Sequence, residues 1–251
     1  YFQLLFAIDR VKEMAPDFPE WAQTQPFQAI LEGNQETIAG FGMAEMIEVV
    51  AATHTGMTTD EFAQIVKTWI NSARHPTTGK KYTDMIFQPM LELLRYLRRH
   101  AFTPYIVSGG GVEFMRAWSE RVYGIPPQQV IGTTIETEFE IRDGRPVLVR
   151  LPEMNLFNDE AGKPVGINRF IGKRPIFAFG NSDGDHEMLL WTDGHDGLSF
   201  CGLVHHTDEA REWAYDRGAH VGALDAAWND ALVKDWTVVD MAADWQRVYP
   251  D

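Results

Sequence analysis

Three oxygen-bearing side chains follow a short apolar run near residue 180. The run Pro175–Phe179 is typical of a buried strand, and it breaks at Gly180 into an acidic turn. That turn carries Asn181, Asp183 and Asp185. Ligands of an open α/β sheet bind beyond the carboxyl ends of its strands, and Mg²⁺ prefers hard oxygen ligands. The turn is therefore a candidate Mg²⁺ site, although the pattern fits helix-capping aspartates equally well.

A second candidate site lies where another apolar run ends in Ser108-Gly109-Gly110-Gly111. A glycine-rich turn between a strand and a helix brings a hydroxyl and backbone N–H groups to one point, which suits a phosphate. The alternative is a tight turn that needs glycine for its backbone conformation. Lys163 enters a later helix and is placed to neutralise a phosphate oxygen and a carboxylate together, unless it is a solvated surface lysine.

Spacing excludes several other motifs. The acidic turn is not a calcium loop, because His186 stands where that loop needs glycine. The Ser108 segment is neither a Walker loop nor a dinucleotide fingerprint, and the sequence has no zinc pattern and no Gly-x-Ser-x-Gly elbow. We interpret His205 and His206 as structural or exposed. Cys201 lies in an apolar run and is interpreted as a buried small hydrophobic residue.

The composition is that of a folded and strongly acidic protein. The 251 residues are 45% apolar and 12% aromatic, which is enough to build a sizeable core. The net charge of -14 argues against nucleic acid or an anionic membrane as the partner. We find no transmembrane segment, no signal peptide and no possible internal disulfide. The oligomeric state and the choice between cytoplasm and periplasm stay open.

The first hundred residues show helical apolar periodicity. We predict helices near residues 4–11, 20–31, 38–50 and 85–100, and one that begins with a capping box at Thr58–Glu61. Methionines on their apolar faces are interpreted as core filler.

From residue 102 onward the pattern predicts alternating strands and helices. A strand at 102–107 and a helix at 112–123 form a βα unit. The runs at 134–141 and 146–151 flank Asp143-Gly144, which predicts a hairpin. Further strands are predicted at 175–179, 197–204 and 236–239, and further helices at 166–171, 208–215 and 241–248. We place the boundary between the helical and α/β parts near residues 84–101.

The order of these pieces resembles the haloacid dehalogenase superfamily, and most of all its phosphoserine-phosphatase-like branch. The resemblance is carried by a strand with Ser108-Gly109, then Lys163, then a strand with Gly180-Asn181-Ser182-Asp183-Gly184-Asp185. It covers about residues 102–240. It implies an α/β fold with a Rossmann-like parallel-sheet core over residues 91–251, a β-hairpin, and an inserted helical cap domain over residues 1–90.

Members of that superfamily carry an Asp-x-Asp-Gly-Thr motif at the end of the first strand. Its first aspartate is the nucleophile and its second is the general acid/base. The motif is not found here, because Asp9 follows an apolar run but Arg10-Val11-Lys12 does not fit the pattern. Our hypothesis is that a strand with this motif precedes Tyr1.

The resemblance implies a Mg²⁺-dependent phosphatase that acts on a small soluble organic phosphate through an aspartyl-phosphate. Ser108 and Lys163 are the implied catalytic residues, with Gly109 and Gly110 also binding the phosphate. The implied metal ligands are Asn181, Asp185 and Asp183. Because similar proteins often have aspartate in place of Asn181, we expect weaker Mg²⁺ binding here.

The loop at residues 74–81 provides candidate cap contacts to the substrate, unless it is only a solvated basic loop. Its basic residues are Arg74, His75, Lys80 and Lys81. Two other functions stay open: a phosphotransferase on the same core, and a non-catalytic protein that binds a phosphate-bearing ligand.

Overall fold

The computed structural model describes residues 2–219 and 222–250, and it begins with a helical segment. Within the described residues this segment contains α1 (Phe2–Met14), α2 (Phe27–Glu32), α3 (Gln35–Ala39), α4 (Met43–His54), α5 (Thr59–Ser72) and α6 (Gln88–Arg99). Short 3₁₀ helices lie between them at Ala15–Asp17, Pro19–Gln23 and Tyr82–Asp84. The predicted helical character of the first hundred residues is confirmed.

The start of α5 follows from its sequence. The Thr58 hydroxyl accepts a hydrogen bond from the Glu61 N–H at 3.1 Å, and the Glu61 carboxylate accepts one from the Thr58 N–H at 2.7 Å. This is the predicted capping box. Phe62, Val66 and Ile70 then recur on one face of the helix and are buried.

Three predicted helices are each divided in the structure. The helix predicted for residues 112–123 forms α7 (Val112–Arg116) and α8 (Ser119–Tyr123). Pro26 separates a 3₁₀ turn from α2, because proline lacks a backbone donor and restricts the residue before it. The single helix predicted for residues 20–31 is therefore wrong. The helix predicted for residues 38–50 is also two helices, α3 and α4, since Gly40 and Gly42 are poor helix formers.

The rest of the described chain alternates strands and helices, as predicted. The strands are β1 (Ile106–Gly111), β2 (Val130–Arg142), β3 (Arg145–Leu156), β4 (Phe177–Gly180), β5 (Phe200–His205) and β6 (Thr237–Asp240). The helices are α7 (Val112–Arg116), α8 (Ser119–Tyr123), α9 (Gly162–Ile171), α10 (His186–Asp193), α11 (Ala226–Val233) and α12 (Met241–Asp244).

The strands of the described residues form two three-stranded sheets. In the first, β1 pairs in parallel with β2, and β2 pairs antiparallel with β3. The predicted hairpin is confirmed, with Asp143 at φ 52° and Gly144 at φ 75° in its turn. In the second sheet β4, β5 and β6 are all parallel. The α/β class with parallel strands is confirmed.

Strand β1 differs from its prediction at both ends. It begins at Ile106 rather than near residue 102, and Pro104 just before it cannot donate to a strand ladder. Ser108 and the three glycines after it belong to the strand rather than to a turn. Helix α7 follows the strand directly, so the order of strand, glycines and helix is as predicted.

The C-terminal part contains one wrong prediction and one omission. Residues 208–215 form turns instead of the predicted helix. The Tyr215 N–H donates to the His206 carbonyl at 3.0 Å in an isolated β-bridge, which a helix does not allow, and Arg211 connects the segment to the carbonyl oxygens of Met241 and Trp245. Helix α11 was not predicted, and α12 ends at Asp244 rather than near residue 248.

The two parts of the chain share a core. Phe6, Phe62 and Ile70 of the helical segment pack in one cluster with Phe114 and Trp118 that follow β1. Beside this core lies a groove of about 680 Å³. It is lined by one edge strand of each sheet, β1 and β4, together with α6 and α9. No helix in the described part of the chain is long and apolar enough to cross a lipid bilayer.

Candidate active site

Lys163 is buried at the start of α9. Its side chain is 7% exposed, and its Nζ lies 2.6 Å from Oδ1 of Asp185 and 3.6 Å from Oδ1 of Asp159. A buried cation between two carboxylates is a fixed part of the structure, so the surface alternative for this lysine is wrong. The structure brings Lys163 and Asp185 together across the carboxyl end of β4.

Asp185 folds back over the turn that carries it. Its Oδ2 accepts hydrogen bonds from the backbone N–H groups of Asn181 at 2.9 Å and Ser182 at 3.3 Å. Gly180 permits this arrangement, since a Cβ at that position would lie 2.5 Å from the Asp185 Cβ. The backbone N–H groups and Lys163 together stabilise the ionised carboxylate.

Asp183 has a different role from Asp185. Its carboxylate accepts backbone hydrogen bonds from Asp225 at 3.0 Å and from Ala227 at 3.0 Å, where α11 begins. These contacts are those of a helix cap, the alternative that the sequence pattern left open. Among the described residues no group of three or more His, Cys, Asp or Glu side chains is placed to hold a metal ion.

The Ser108 segment is held in position by hydrogen bonds from two later segments. The Thr133 hydroxyl donates to the Gly109 carbonyl at 2.6 Å, and the Asn158 amide donates to the Ser108 carbonyl at 2.9 Å. The Asn158 N–H donates in turn to the Thr133 hydroxyl at 3.1 Å. Asn158 is fully buried, so this network joins β1, β2 and the loop that leads to α9.

Asp159 connects the two predicted motifs, and the sequence analysis did not identify it. A Cβ on Gly109 would lie 2.8 Å from its carboxylate carbon, and a Cβ on Gly184 would lie 2.7 Å from its Oδ1. Asp159 therefore lies against both Gly109 and Gly184, and the absence of side chains there makes room for it. The only sequence feature that could have indicated its contact with Lys163 is its position four residues earlier in the chain.

Gln3 is a second residue that the sequence analysis missed. Its side-chain oxygen accepts a hydrogen bond from the Gly111 N–H at 2.6 Å. This contact places α1 against the end of β1, so the helical segment lies beside the predicted phosphate site. Nothing in the spacing of α1 indicated this contact.

The basic loop at residues 74–81 contacts the C-terminal part of the chain. Arg74 donates to the Gly79 carbonyl at 2.9 Å, and Lys80 Nζ lies 5.0 Å from the ring centroid of Tyr249. The His75 ring lies 5.1 Å from that of Trp213. Both Arg74 and Lys80 are exposed. These contacts do not connect the loop to Lys163, and the role of the loop in substrate binding stays a prediction.

The remaining candidate residues have structural surroundings. Cys201 is buried, its thiol donates to the Leu189 carbonyl, and burial raises the pKa of the thiol to about 11. His206 is 4% exposed and lies 3.3 Å from a carboxylate oxygen of Glu212. His205 lies 3.6 Å from the Asp216 carboxylate.

The family model of the haloacid dehalogenase-like hydrolases matches residues 11–190 of this chain. The match covers most of the chain, and the protein belongs to this family.

Two of the solved structures that match this chain are described by their sources. One is a conserved functionally unknown protein from Anaerococcus prevotii DSM 20548, with 20% identity and a TM-score of 0.45 over 62% of this chain and 46% of that one. The other is a phosphoserine phosphohydrolase-like protein from Francisella tularensis subsp. tularensis SCHU S4, with 16% identity and a TM-score of 0.42 over 80% and 81%. This chain spans less than half of the Anaerococcus protein. No curated protein matches the sequence.

Proposed function

We propose that this hydrolase is a Mg²⁺-dependent phosphomonoesterase that acts on a soluble organic phosphate through an aspartyl-phosphate. The observation that carries the proposal is the placement of buried Lys163 between Asp185 and Asp159, with Asp159 against Gly109. A fixed cation, a hydroxyl and strand-end backbone groups suit a transferring phosphoryl group.

Ser108 and Lys163 would bind the phosphoryl oxygens. The Ser108 Oγ accepts a hydrogen bond from the Gly110 N–H at 3.1 Å, which leaves the hydroxyl proton available to donate to a phosphate oxygen. Lys163 offsets the charge that gathers on the phosphoryl group and keeps Asp185 in place. Asn158 and Thr133 act as positioning residues, because they hold the Ser108 and Gly109 carbonyls.

Asn181 and Asp185 are the residues that would hold Mg²⁺. Their amide and carboxylate oxygens are of the type that this ion binds, but both Asp185 oxygens already have partners and Asp183 caps α11. The fit is therefore partial, and further oxygen ligands must come from the substrate phosphate, water or a residue outside those described. When bound, the ion would neutralise charge on the phosphoryl oxygens.

The nucleophile of this proposal is an aspartate on a strand that precedes residue 1. The edge strands β1 and β4 do not pair with each other in the described structure, and both line the groove of about 680 Å³. Helices α6 and α9 also line this groove, as helices cover a parallel sheet. A parallel strand inserted there would end beside Ser108 and Asn181, since carboxyl ends of parallel strands share one edge.

In the proposed reaction that aspartate bonds to phosphorus as the ester P–O bond breaks, and the second aspartate of the same motif gives its proton to the leaving alcohol oxygen. Water, deprotonated by that second aspartate, then displaces the first aspartate from phosphorus and releases inorganic phosphate. Lys163 and Ser108 hold the phosphoryl oxygens through both steps. The helical segment, which contacts the end of β1 through Gln3, would act as the cap that limits the access of bulk water.

Phosphate release by the full-length protein tests this function. We expect turnover of p-nitrophenyl phosphate with Mg²⁺ and none with EDTA. Lys163→Met should abolish turnover, whereas the matched variant Lys67→Met, on the exposed face of α5, should retain it. A folded, Mg²⁺-loaded full-length protein that releases no phosphate from any ester would contradict the proposal.

A further inference from the structure

A second cavity begins at the predicted phosphate site and extends away from it. This substrate cleft has a volume of about 570 Å³, within the range of about 300–1,000 Å³ that small-molecule sites occupy. Gly109–Gly111 and Asp159 lie at one end. Helix α4 forms one wall, and the hairpin strands β2 and β3 with the segment that follows them form the other.

The α4 wall is an apolar stripe that is partly exposed. Its residues Met43, Met46, Ile47 and Val50 follow the spacing of one helix face. Met43 is 52% exposed and Ile47 is 39% exposed, so these two side chains are open to the cleft, whereas Met46 and Val50 are half-buried. The prediction that methionines on this helix are core filler is wrong for Met43. Methionine side chains are flexible, and they suit a wall that adapts to an apolar ligand.

The opposite wall is apolar as well. It is lined by Ile135 of β2, Pro152 and Met154 of β3, and Phe157 just after β3. Met154 is 40% exposed and Phe157 is 39% exposed. The two walls thus expose large apolar side chains to the same space, which a folded protein rarely does without a ligand.

Each charged residue that lines the described cleft is paired with another protein group. Arg150 is 4% exposed, pairs with Glu113, donates from Nε to the His54 carbonyl at 2.6 Å, and lies 3.9 Å from the Phe62 ring centroid. Burial lowers the pKa of Arg150 to about 10, so it stays charged at neutral pH. Asp159 pairs with Lys163 at the phosphate end.

His54 adds no charge to the cleft at neutral pH. Burial, and then the nearby charges of Arg150 and Arg10, lower its pKa to about 3. The cleft therefore offers apolar contact along both walls, and its charged side chains pair with other protein groups. Within the described residues, the buried Nε2 of the neutral His54 ring has no hydrogen-bond partner.

We propose that the organic group of the substrate is an uncharged apolar chain or ring that lies between α4 and the β2–β3 hairpin. This inference rests on the proposed phosphatase function and names its substrate class: phosphomonoesters of apolar alcohols. A carboxylate or ammonium group on the alcohol would lose its hydration in this cleft without gaining a free partner.

Three esters of matched leaving-group chemistry test the inference: ethyl phosphate, n-hexyl phosphate and the hexyl ester with a terminal carboxylate. For the full-length protein with Mg²⁺, we expect kcat/KM for hexyl phosphate to exceed that for ethyl phosphate by about tenfold or more, since methylenes in an apolar pocket discriminate on this scale. The terminal carboxylate should remove this gain. Equal values for ethyl and hexyl phosphate, or a preference for the carboxylate, would overturn the inference.

A variant of α4 tests whether this helix causes the preference for hexyl over ethyl phosphate. Ile47→Gln should lower the hexyl-to-ethyl ratio by about tenfold. Ala44→Gln, an exposed position on the same helix outside the cleft, should leave that ratio unchanged. An unchanged ratio in Ile47→Gln would overturn the placement of the organic group.

Binding of non-hydrolysable phosphonates separates this inference from the phosphatase function. Calorimetry should show hexylphosphonate binding about tenfold more tightly than ethylphosphonate. If no ester is hydrolysed but this preference is found, the phosphatase proposal fails and the apolar site stands. If esters are hydrolysed but the two phosphonates bind equally, the apolar site fails and the phosphatase proposal stands.

Discussion

Lys163 Nζ lies 2.6 Å from Asp185 Oδ1, and both side chains are buried. The pair joins the first turn of α9 to the turn after β4. Because a buried charge is costly without its partner, each residue fixes the position of the other. The pair therefore sets the geometry of the candidate active site.

Removal of Lys163 should destabilise the fold as well as abolish activity. In Lys163→Met the Asp185 charge stays buried without its cation, and we expect the free energy of unfolding to fall by about 3–5 kcal/mol. Urea unfolding measures this loss. The double variant with Asp185→Asn should regain part of the stability but none of the activity. A single variant as stable as the wild type would show that Asp185 does not depend on Lys163.

Asp183 and Asn181 should differ in their effect on Mg²⁺ dependence. Asp183→Ala removes the cap of α11 and should cost about 0.5–2 kcal/mol of stability, with little change in the Mg²⁺ concentration for half-maximal activity. Asn181→Asp should lower that concentration, because it adds a charged oxygen ligand. A large rise in the Mg²⁺ requirement of Asp183→Ala would instead identify Asp183 as a ligand.

Gly166 should tolerate no larger side chain. A Cβ at this position would overlap the amide oxygen of Asn158, which is fully buried. We expect Gly166→Ala to lower the free energy of unfolding by about 1–3 kcal/mol, as overpacking does, and to reduce kcat/KM by displacing Asn158 from the Ser108 carbonyl. Gly218→Ala, whose Cβ would meet no atom within 4 Å, is the control. Equal stability of both variants would mean that α9 can move away from Asn158 and accommodate the added methyl group without loss of stability.

His54 should make stability depend on pH. Its pKa is lowered to about 3 in the folded protein, below the ordinary value of 6.5, so the unfolded chain binds the proton first as the pH falls. The stability that the neutral ring contributes is therefore fully present above pH 6.5. Below that pH, the free energy of unfolding falls by about 1.4 kcal/mol per pH unit. Urea unfolding between pH 7.5 and 4.5 should show a shallower dependence for His54→Gln than for the wild type. Identical slopes for the wild type and His54→Gln would contradict the assignment.

The sequence predicted the parts of the site whose secondary structure is determined by neighbouring residues. The strand with Ser108, the helix near Lys163 and the strand with the acidic turn are found in the predicted order, although Ser108 lies within β1 and α9 begins at Gly162 rather than near residue 166. Apolar runs and glycine breaks determine such elements locally, and parallel strands bring their carboxyl ends together. The α/β class followed for the same reason.

The rest depended on contacts that the sequence does not encode locally. Asp159 acquires its place from Gly109 and Gly184, which are distant in the chain, and Asp183 became a cap because α11 starts beside it. The helix predicted at residues 208–215 is absent because Tyr215 pairs through its backbone with His206, while Arg211 donates to carbonyl oxygens of the α12 region. Long-range hydrogen bonds of this kind override local helical propensity.

Trapping of a phosphoenzyme tests the central claim most directly. The full-length protein would be mixed with an ester labelled in its phosphoryl group, quenched in acid and digested, and the labelled peptide identified. We predict label that hydroxylamine releases, on an aspartate upstream of residue 1, formed with Mg²⁺ and lost in Lys163→Met. Hydroxylamine-resistant label on Ser108, or neither label nor phosphate release from a folded protein, would contradict the account.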